Sequence, residues 1–307
     1  MNLQNKYFKV QDNGLSPFHT MSAYMGGSVF QTIMDNPITS YRQLVQQYAK
    51  DVNGNIVHPS FARREALNTF YKNPISASMS GIMPRIVGVG FKRIPKFGFL
   101  LGYSYITGQK GKVDMTTATF ASIMSAPFIN PIRMIEKQQR AFFRETGKEK
   151  PIIDIIRESS RHNFKPLFRG TIPLMAHSLA SATTGLVGQP QLQKYIKKEL
   201  GTKTNIGSFT AGLISSSVVS PIYVMMTNPL SRLEVIMQTN KIDGKDISMW
   251  KASKELIQDT RLHGLQGVFR GQGVGIVKAI ISLTLFHEGR LFLTHWFQKR
   301  NKRLGYY

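Results

Sequence analysis

Basic side chains interrupt several otherwise apolar stretches of this sequence. They are Lys92, Arg93, Lys96, His177 and Lys278. An ionisable group inside a membrane-length apolar segment normally faces a bundle interior or a water-filled path, because its charge is costly in lipid. Converging cations attract an anion, so the first chemistry that the sequence offers is anion binding in an interior cavity. The alternative is that these side chains neutralise a lipid headgroup or an acidic side chain of a partner, and the sequence leaves both open.

No catalytic constellation accompanies these residues. The seven histidines show no i, i+4 pairing with a carboxylate that would indicate a metal site, and the chain has no cysteine. The glycines at positions 271, 273 and 275 lack the preceding strand and the Lys-Ser/Thr of a phosphate-binding loop. We therefore expect no enzyme activity, no metal site and no cofactor other than bound lipid.

Three Asn-Pro pairs organise the chain around these residues. They are Asn36-Pro37, Asn130-Pro131 and Asn228-Pro229, with prolines 94 and 98 residues apart. Each is followed 39 to 44 residues later by a glycine, and two of these glycines end a Phe-Arg-Gly triplet; the glycines are Gly81, Gly170 and Gly271. A kinked apolar helix, a polar segment and a second apolar helix, occurring three times, predict a threefold repeat. We expect one domain over 1–307, with repeats over approximately 20–110, 111–203 and 204–300.

Six apolar stretches have the length that a helix needs to cross a bilayer. They run roughly over 20–46, 82–107, 114–138, 171–198, 207–237 and 272–297. Short amphipathic helices are predicted between them, over 60–72, 151–160 and 247–260. The fold class is therefore all-α, and six transmembrane helices are favoured over a soluble helical bundle.

Composition supports more than one class of protein. The formal net charge is +23 and the pI is about 10.2, which suits either a nucleic-acid binder or a protein in contact with anionic lipid. The N-terminal twenty residues have no continuous apolar core, so we expect neither a secretory signal nor a cleavable transit peptide there. A nucleic-acid binder has no use for six apolar stretches, and we expect no nucleic-acid partner.

The repeat layout resembles the mitochondrial carrier family over essentially the whole chain. The stretch Gly81 to Phe99, GIMPRIVGVGFKRIPKFGF, is similar to the phosphate-carrier branch within one helix. The resemblance implies six transmembrane helices around a pseudo-threefold axis, short helices on the matrix side, and a location in the mitochondrial inner membrane.

Carriers close their matrix side with a ring of acid–base pairs that follow the Asn-Pro prolines. The positions implied here are Thr39, Arg42, Arg133, Glu136, Ser231 and Glu234. The family pattern sets Thr39 against Glu136, Arg133 against Glu234, and Ser231 against Arg42. Only one charge pair survives, with reversed polarity, so we expect an unbalanced gate. At the opposite gate the implied positions carry no charge; they are Leu101, Ser104, Pro190, Gln193, Leu291 and Thr294.

The resemblance also implies a substrate cavity and lipid sites. The cavity positions are Gly88, Lys92, Lys96, His177, Ser181, Lys278 and Ser282. Arg169-Gly170 and Arg270-Gly271 precede even-numbered helices, and the resemblance implies that cardiolipin binds at these helix starts. An arginine that merely reaches the headgroups is the simpler alternative for both.

Two functions from different classes follow from the resemblance. The missing gate charges favour a structural or accessory subunit of a larger inner-membrane assembly, such as a respiratory-chain complex, in contact with other protein subunits and cardiolipin. The alternative is an active exchanger of a small anion, such as phosphate or a carboxylate.

Overall fold

The protein is helical throughout the residues that the structure, a computed structural model, describes. These are residues 17–50, 55–88, 115–182, 205–239 and 247–303, with single positions between 95 and 106 and between 192 and 196. The helices are α1 (Pro17–Gln47), α2 (Pro59–Lys72), α3 (Pro74–Met79), α4 (82–88), α5 (Met115–Thr146), α6 (Ile152–Ser160), α7 (Thr171–Ala182), α8 (Asn205–Thr239), α9 (Met249–His263), α10 (Leu265–Val268) and α11 (Gln272–Arg303). A 3₁₀ turn covers Lys165–Phe168.

Four of these helices are long. Helices α1, α5, α8 and α11 contain 31 to 35 residues, which corresponds to about 47–52 Å at 1.5 Å per residue. A hydrocarbon core is about 30 Å thick, so each exceeds it. Helices α1, α5 and α8 continue through their prolines and do not end there. The predicted stretches 82–107 and 171–198 are described mainly over 82–88 and 171–182, and their remainder lies largely outside the described residues.

The long helices and the shorter α7 pack side by side in a row. Helix α1 packs against α11, α11 against α8, α8 against α7, and α7 against α5. Helices α1, α5 and α8 also contact one another, and these contacts lie at the ends that carry their Asn-Pro pairs. We call this end of the bundle the proline end.

The same sequence of elements occurs in each third of the chain. Each long proline-containing helix is followed by one of the short helices α2, α6 and α9, which packs on its base through a small apolar cluster. Each of the three repeat glycines then has a positive φ, of 68°, 78° and 77° at Gly81, Gly170 and Gly271. A residue with a Cβ atom is strained at such φ values, which explains the glycine before each following helix.

Polarity is distributed in the opposite way to that of a soluble bundle. On α1, Thr32, Asp35 and Asn36 are buried, whereas Phe30 and Met34 are exposed. Helices α5 and α8 repeat this arrangement, with exposed apolar side chains at Phe120, Met124, Phe128, Val218, Ile222 and Met226, and buried polar ones at Ser122, Ser125, Asn130, Ser216, Ser220 and Asn228. Contiguous exposed apolar faces of this kind mark a surface covered by lipid or by another protein.

Candidate functional site at the proline end

The asparagine of each Asn-Pro pair clamps its helix to the glycine turn of the same repeat. All three asparagines are fully buried. Their Nδ2 groups donate to carbonyls three residues or one residue before the repeat glycine: Asn36 to Ser78 at 2.6 Å, Asn130 to Leu167 at 3.1 Å and Arg169 at 2.9 Å, and Asn228 to Val268 at 3.0 Å. The side-chain amide therefore satisfies carbonyls that the turn leaves without partners.

The Oδ1 atom of each asparagine accepts a bond from the next long helix. Asn36 accepts from Arg140 at 3.0 Å, Asn130 from Gln238 at 2.7 Å, and Asn228 from Arg42 at 2.8 Å. These bonds join α5 to α1, α8 to α5, and α1 to α8. We call the resulting circle of contacts the proline-end ring.

The α1–α5 junction of this ring consists of two acids and two bases. The buried Arg140 pairs with Glu136 at 2.6 Å and donates from Nε to the Ser80 carbonyl at 3.1 Å. Arg85 pairs with Asp35 at 2.8 Å and approaches Glu136 at 3.6 Å. Among these four side chains the charges alternate and balance, which is the condition under which buried ion pairs are tolerated.

The α5–α8 junction is centred on one carboxylate. The buried Glu234 pairs with Lys137 at 2.7 Å and with Arg133 at 3.3 Å. Gln238 adds bonds to Asn130 and to the Arg169 carbonyl at 2.9 Å.

The α8–α1 junction depends on a single guanidinium. Arg42 donates from Nη2 to Asn228, and no carboxylate lies within ion-pair distance of it among the residues that the structure describes. Its side chain crosses the glycine face of α11: a Cβ on Gly275 would lie 3.0 Å from Arg42 Nε, and one on Gly271 would lie 3.6 Å from Arg42 Cγ. Glycine at position 275 therefore leaves the space that Arg42 occupies.

One of the three expected gate pairs is present in the structure. Arg133 and Glu234 form the expected ion pair of reversed polarity. The other two pairs were expected to lack one charge each, and no ion pair joins either of them in the described part of the chain. Thr39 Oγ1 is buried there without a hydrogen-bond partner, and Glu136 binds arginines. Arg42 bonds to Asn228, and Ser231 is half-buried.

Sequence reasoning missed the groups that balance the charges of the ring. Arg140 stands nine residues after its proline, where the other two repeats carry Gln46 and Gln238. An acid at position 136 needs a nearby base, and a base one helical turn later was the available signal. Asp35 and Arg85 gave no signal of their own, because their contact joins two helices 50 residues apart.

Two of the cavity residues predicted to attract an anion have polar neighbours. The Lys278 charge acts on the Asp35 carboxylate, to which Ser282 also bonds. The Tyr223 hydroxyl lies 3.3 Å from His177 Nε2. Gly88 packs against Ile132, and Ser181 is half-buried. Lys92 and Lys96 lie outside the described residues. Lys278 therefore lies near an acid of the chain itself, which neither of the two alternatives from the sequence specified.

The arginines of the two Phe-Arg-Gly triplets are buried, so the expectation that their side chains reach lipid needs correction at Arg270. Arg270 is 0% exposed, and its Nη2 bonds to Asp259 and to the Val57 carbonyl, both at 2.8 Å. Arg169 is also buried. Lipid contact at Gly170 or Gly271 would therefore involve backbone N–H groups at the helix starts, and the cardiolipin prediction stays a prediction.

Asp259 is the hub of a second charged cluster, which links the third repeat to the first. It binds Arg232 at 2.9 Å, Arg270 at 2.8 Å and His263 at 2.9 Å. Burial alone would raise the pKa of Asp259, but the hydrogen bond from Arg270, the charge of Arg232 and the contact with His263 outweigh it and lower the pKa. Asp259 and His263 are four residues apart, a pairing that sequence reasoning overlooked. No cluster of three metal-ligand side chains occurs among the described residues.

The opposite end of the bundle carries the second set of expected gate positions. The side chains at those six positions lie outside the described part of the chain.

Comparison with known proteins gives no match. No family model matches the chain, and no curated protein matches it. One described helix, Thr210–Thr239, is long and apolar enough to cross a membrane, and Gln272–Leu285 is a shorter apolar helix.

Proposed function

We propose that the chain is a six-helix, carrier-like protein of the mitochondrial inner membrane that acts as a structural or accessory subunit of a larger assembly, such as a respiratory-chain complex. Membrane placement is supported by the exposed apolar faces of α1, α5 and α8, which surround buried polar side chains. It is also supported by the apolar span within α8. The inner-membrane location and the carrier fold rest on the resemblance of the repeats.

The observation that carries the structural role is the asymmetry between the two ends. At the proline end, two of the three junctions contain ion pairs between repeats. Opening that end would separate Glu234 from Lys137 and Arg133, and it would separate Glu136 from Arg85. The corresponding positions at the other end carry no charged residue. Alternating access needs two closed states of comparable free energy, and the part of the chain that the structure describes contains specific contacts for the state closed at the proline end.

A second candidate, exchange of a small anion, is favoured by one observation. Among the described residues of the ring and the adjoining inner face, six cations oppose three anions; the cations are Arg42, Arg85, Arg133, Lys137, Arg140 and Lys278, and the anions are Asp35, Glu136 and Glu234. An excess of buried and half-buried positive charge attracts phosphate or a carboxylate.

The experiment that separates the two is native sizing after mild detergent extraction of mitochondria, with identification of the co-migrating chains. A structural subunit runs within a much larger complex, whose other chains then name the assembly. A protein that runs near its own 34.6 kDa plus detergent and lipid is not such a subunit. Anion exchange in liposomes, beginning with phosphate, then becomes the test of the second candidate.

A further inference from the structure

An apolar groove of about 350 Å³ lies outside the ring, between α1 and α2. Its walls include Pro37 and Tyr41 of α1 and Leu67, Phe70 and Tyr71 of α2. This volume lies at the lower end of the usual range for small-molecule pockets, about 300–1,000 Å³. Tyr71 is 81% exposed and Leu67 is 42% exposed, so the groove opens to the outside of the bundle.

The inner wall of the groove is fixed by packing. The rings of Tyr41 and Phe70 meet edge to face, with centroids 5.9 Å apart. Both pack on the buried cluster of Leu44, Val45 and Ala66. The groove is therefore a preformed feature with a rigid floor and an adaptable outer rim.

A cation without a partner stands on the same face of α2. Arg63 precedes Leu67 by four residues and Phe70 by seven, which places the three side chains along one side of the helix. The rise per residue puts Arg63 about 6 Å and about 10 Å from these residues along the axis. Its charge also acts on Tyr41 in the opposite wall. Arg63 is exposed and has no ion pair or hydrogen bond to any residue that the structure describes.

We propose that this groove seats one acyl chain of an anionic phospholipid, with the lipid phosphate at Arg63. An apolar slot with an unpaired cation at its end matches an amphiphile that carries a negative headgroup on a hydrocarbon chain. The site is separate from the glycine turns at Gly170 and Gly271, since it uses side chains of α1 and α2 and no helix N-terminus. The inference rests on the membrane placement proposed above, but not on the structural role.

The test is native mass spectrometry of the full-length protein in mild detergent, with added phosphatidylglycerol or phosphatidylcholine. We expect the wild type to retain one phosphatidylglycerol in preference to phosphatidylcholine. One basic residue near a lipid surface is worth about 1 kcal/mol, so Arg63→Gln should reduce this preference about fivefold. Arg64→Gln is the matched control: it removes the same charge from a neighbouring exposed residue that points about 100° away, and it should leave the preference unchanged.

A second variant probes the apolar part of the site. Tyr71→Ser removes an exposed ring from the rim and should reduce retention of both lipids without changing their ratio. Equal effects of Arg63→Gln and Arg64→Gln, or no preference in the wild type, would overturn the proposal. A separate extraction distinguishes failure of this site from failure of the membrane placement. The membranes from which the protein is purified are treated with salt or with detergent before solubilisation. Release by salt alone refutes the membrane placement itself, whereas a detergent requirement without lipid preference refutes only this site.

Discussion

The α1–α5 and α8–α1 junctions occupy equivalent places in the ring and are stabilised in different ways. Both begin with a buried asparagine that holds its own glycine turn and accepts a bond from the neighbouring long helix. At the first junction the donor, Arg140, belongs to a balanced cluster of two acids and two bases. At the second the donor, Arg42, contacts a neutral amide beside Gly275. The repeats thus share a geometry and differ in charge, and the charge of Glu136 is balanced by arginines within its own junction.

Among the changes that test this comparison, replacement of Glu136 should destabilise the protein most. Glu136→Gln leaves Arg140 and Arg85 buried beside one remaining acid, Asp35. Loss of one partner from a buried ion pair costs about 3–5 kcal/mol. The measurement is the free energy of unfolding, or the midpoint of thermal unfolding, in detergent.

The matched control is Glu145→Gln on the same helix. Glu145 pairs with Arg144 at 3.0 Å but is about half exposed, so its loss should cost at most about 1 kcal/mol. Similar destabilisation by the two variants would mean that the α1–α5 cluster has no special role.

Asp259 tests the second link between the third and first repeats, in which Arg270 contacts both Asp259 and Val57. Asp259→Asn leaves Arg232 and Arg270 without a carboxylate and frees the contact of Arg270 with Val57 in the first repeat. We expect a loss of about 3 kcal/mol at neutral pH.

The pH dependence of this loss has a definite sign. Because the folded-state pKa of Asp259 is lowered, its contribution is fully present above the unfolded pKa of about 3.9 and is lost as the pH falls through the folded pKa. The stability difference between wild type and Asp259→Asn should therefore shrink as the pH falls below about 4. A difference that stays constant or grows below about pH 4 would contradict the assignment.

Gly275 gives the smallest effect and tests the α8–α1 junction directly. Gly275→Ala brings a methyl group to 3.0 Å from Arg42 Nε and 3.2 Å from Val224 Cγ1, so Arg42 must move. In the same helix, a Cβ on Gly273 meets no atom within 4 Å. We expect Gly275→Ala to be less stable than Gly273→Ala by about 1–3 kcal/mol, as measured by thermal unfolding. Equal stability of the two variants would show that Arg42 does not need the space at Gly275.

The elements of the fold were predictable, because each depends on local pattern. The short helices expected over 60–72, 151–160 and 247–260 occur as α2, α6 and α9 with ends within three residues, and the repeat glycines mark turns that need positive φ. Four of the six apolar stretches were placed as the long helices α1, α5, α8 and α11. The number of membrane spans is a separate matter and stays a prediction.

The site was less predictable, because its contacts join residues far apart in the chain. The family pattern paired Arg133 with Glu234, and that pair is present. The same pattern set Glu136 against the uncharged Thr39, because it specifies one partner per position, whereas the structure offers Arg140 one turn away and Arg85 on another helix. Arg270 was read as a lipid ligand because its partner, Asp259, has no fixed spacing from it in that pattern.

The central claim is that the proline end stays closed, and cysteine accessibility tests it most directly because the chain has no cysteine of its own. Thr39 is 4% exposed within the ring, whereas the Glu145 side chain, at the same end of α5, is about half exposed. A membrane-impermeant maleimide is applied to proteoliposomes from the proline-end side, with and without phosphate on the opposite side. We predict that Glu145→Cys is labelled and Thr39→Cys is not, in both conditions. Labelling of Thr39→Cys from that side, at a rate approaching that of Glu145→Cys, would show that the proline end opens and would contradict the structural role.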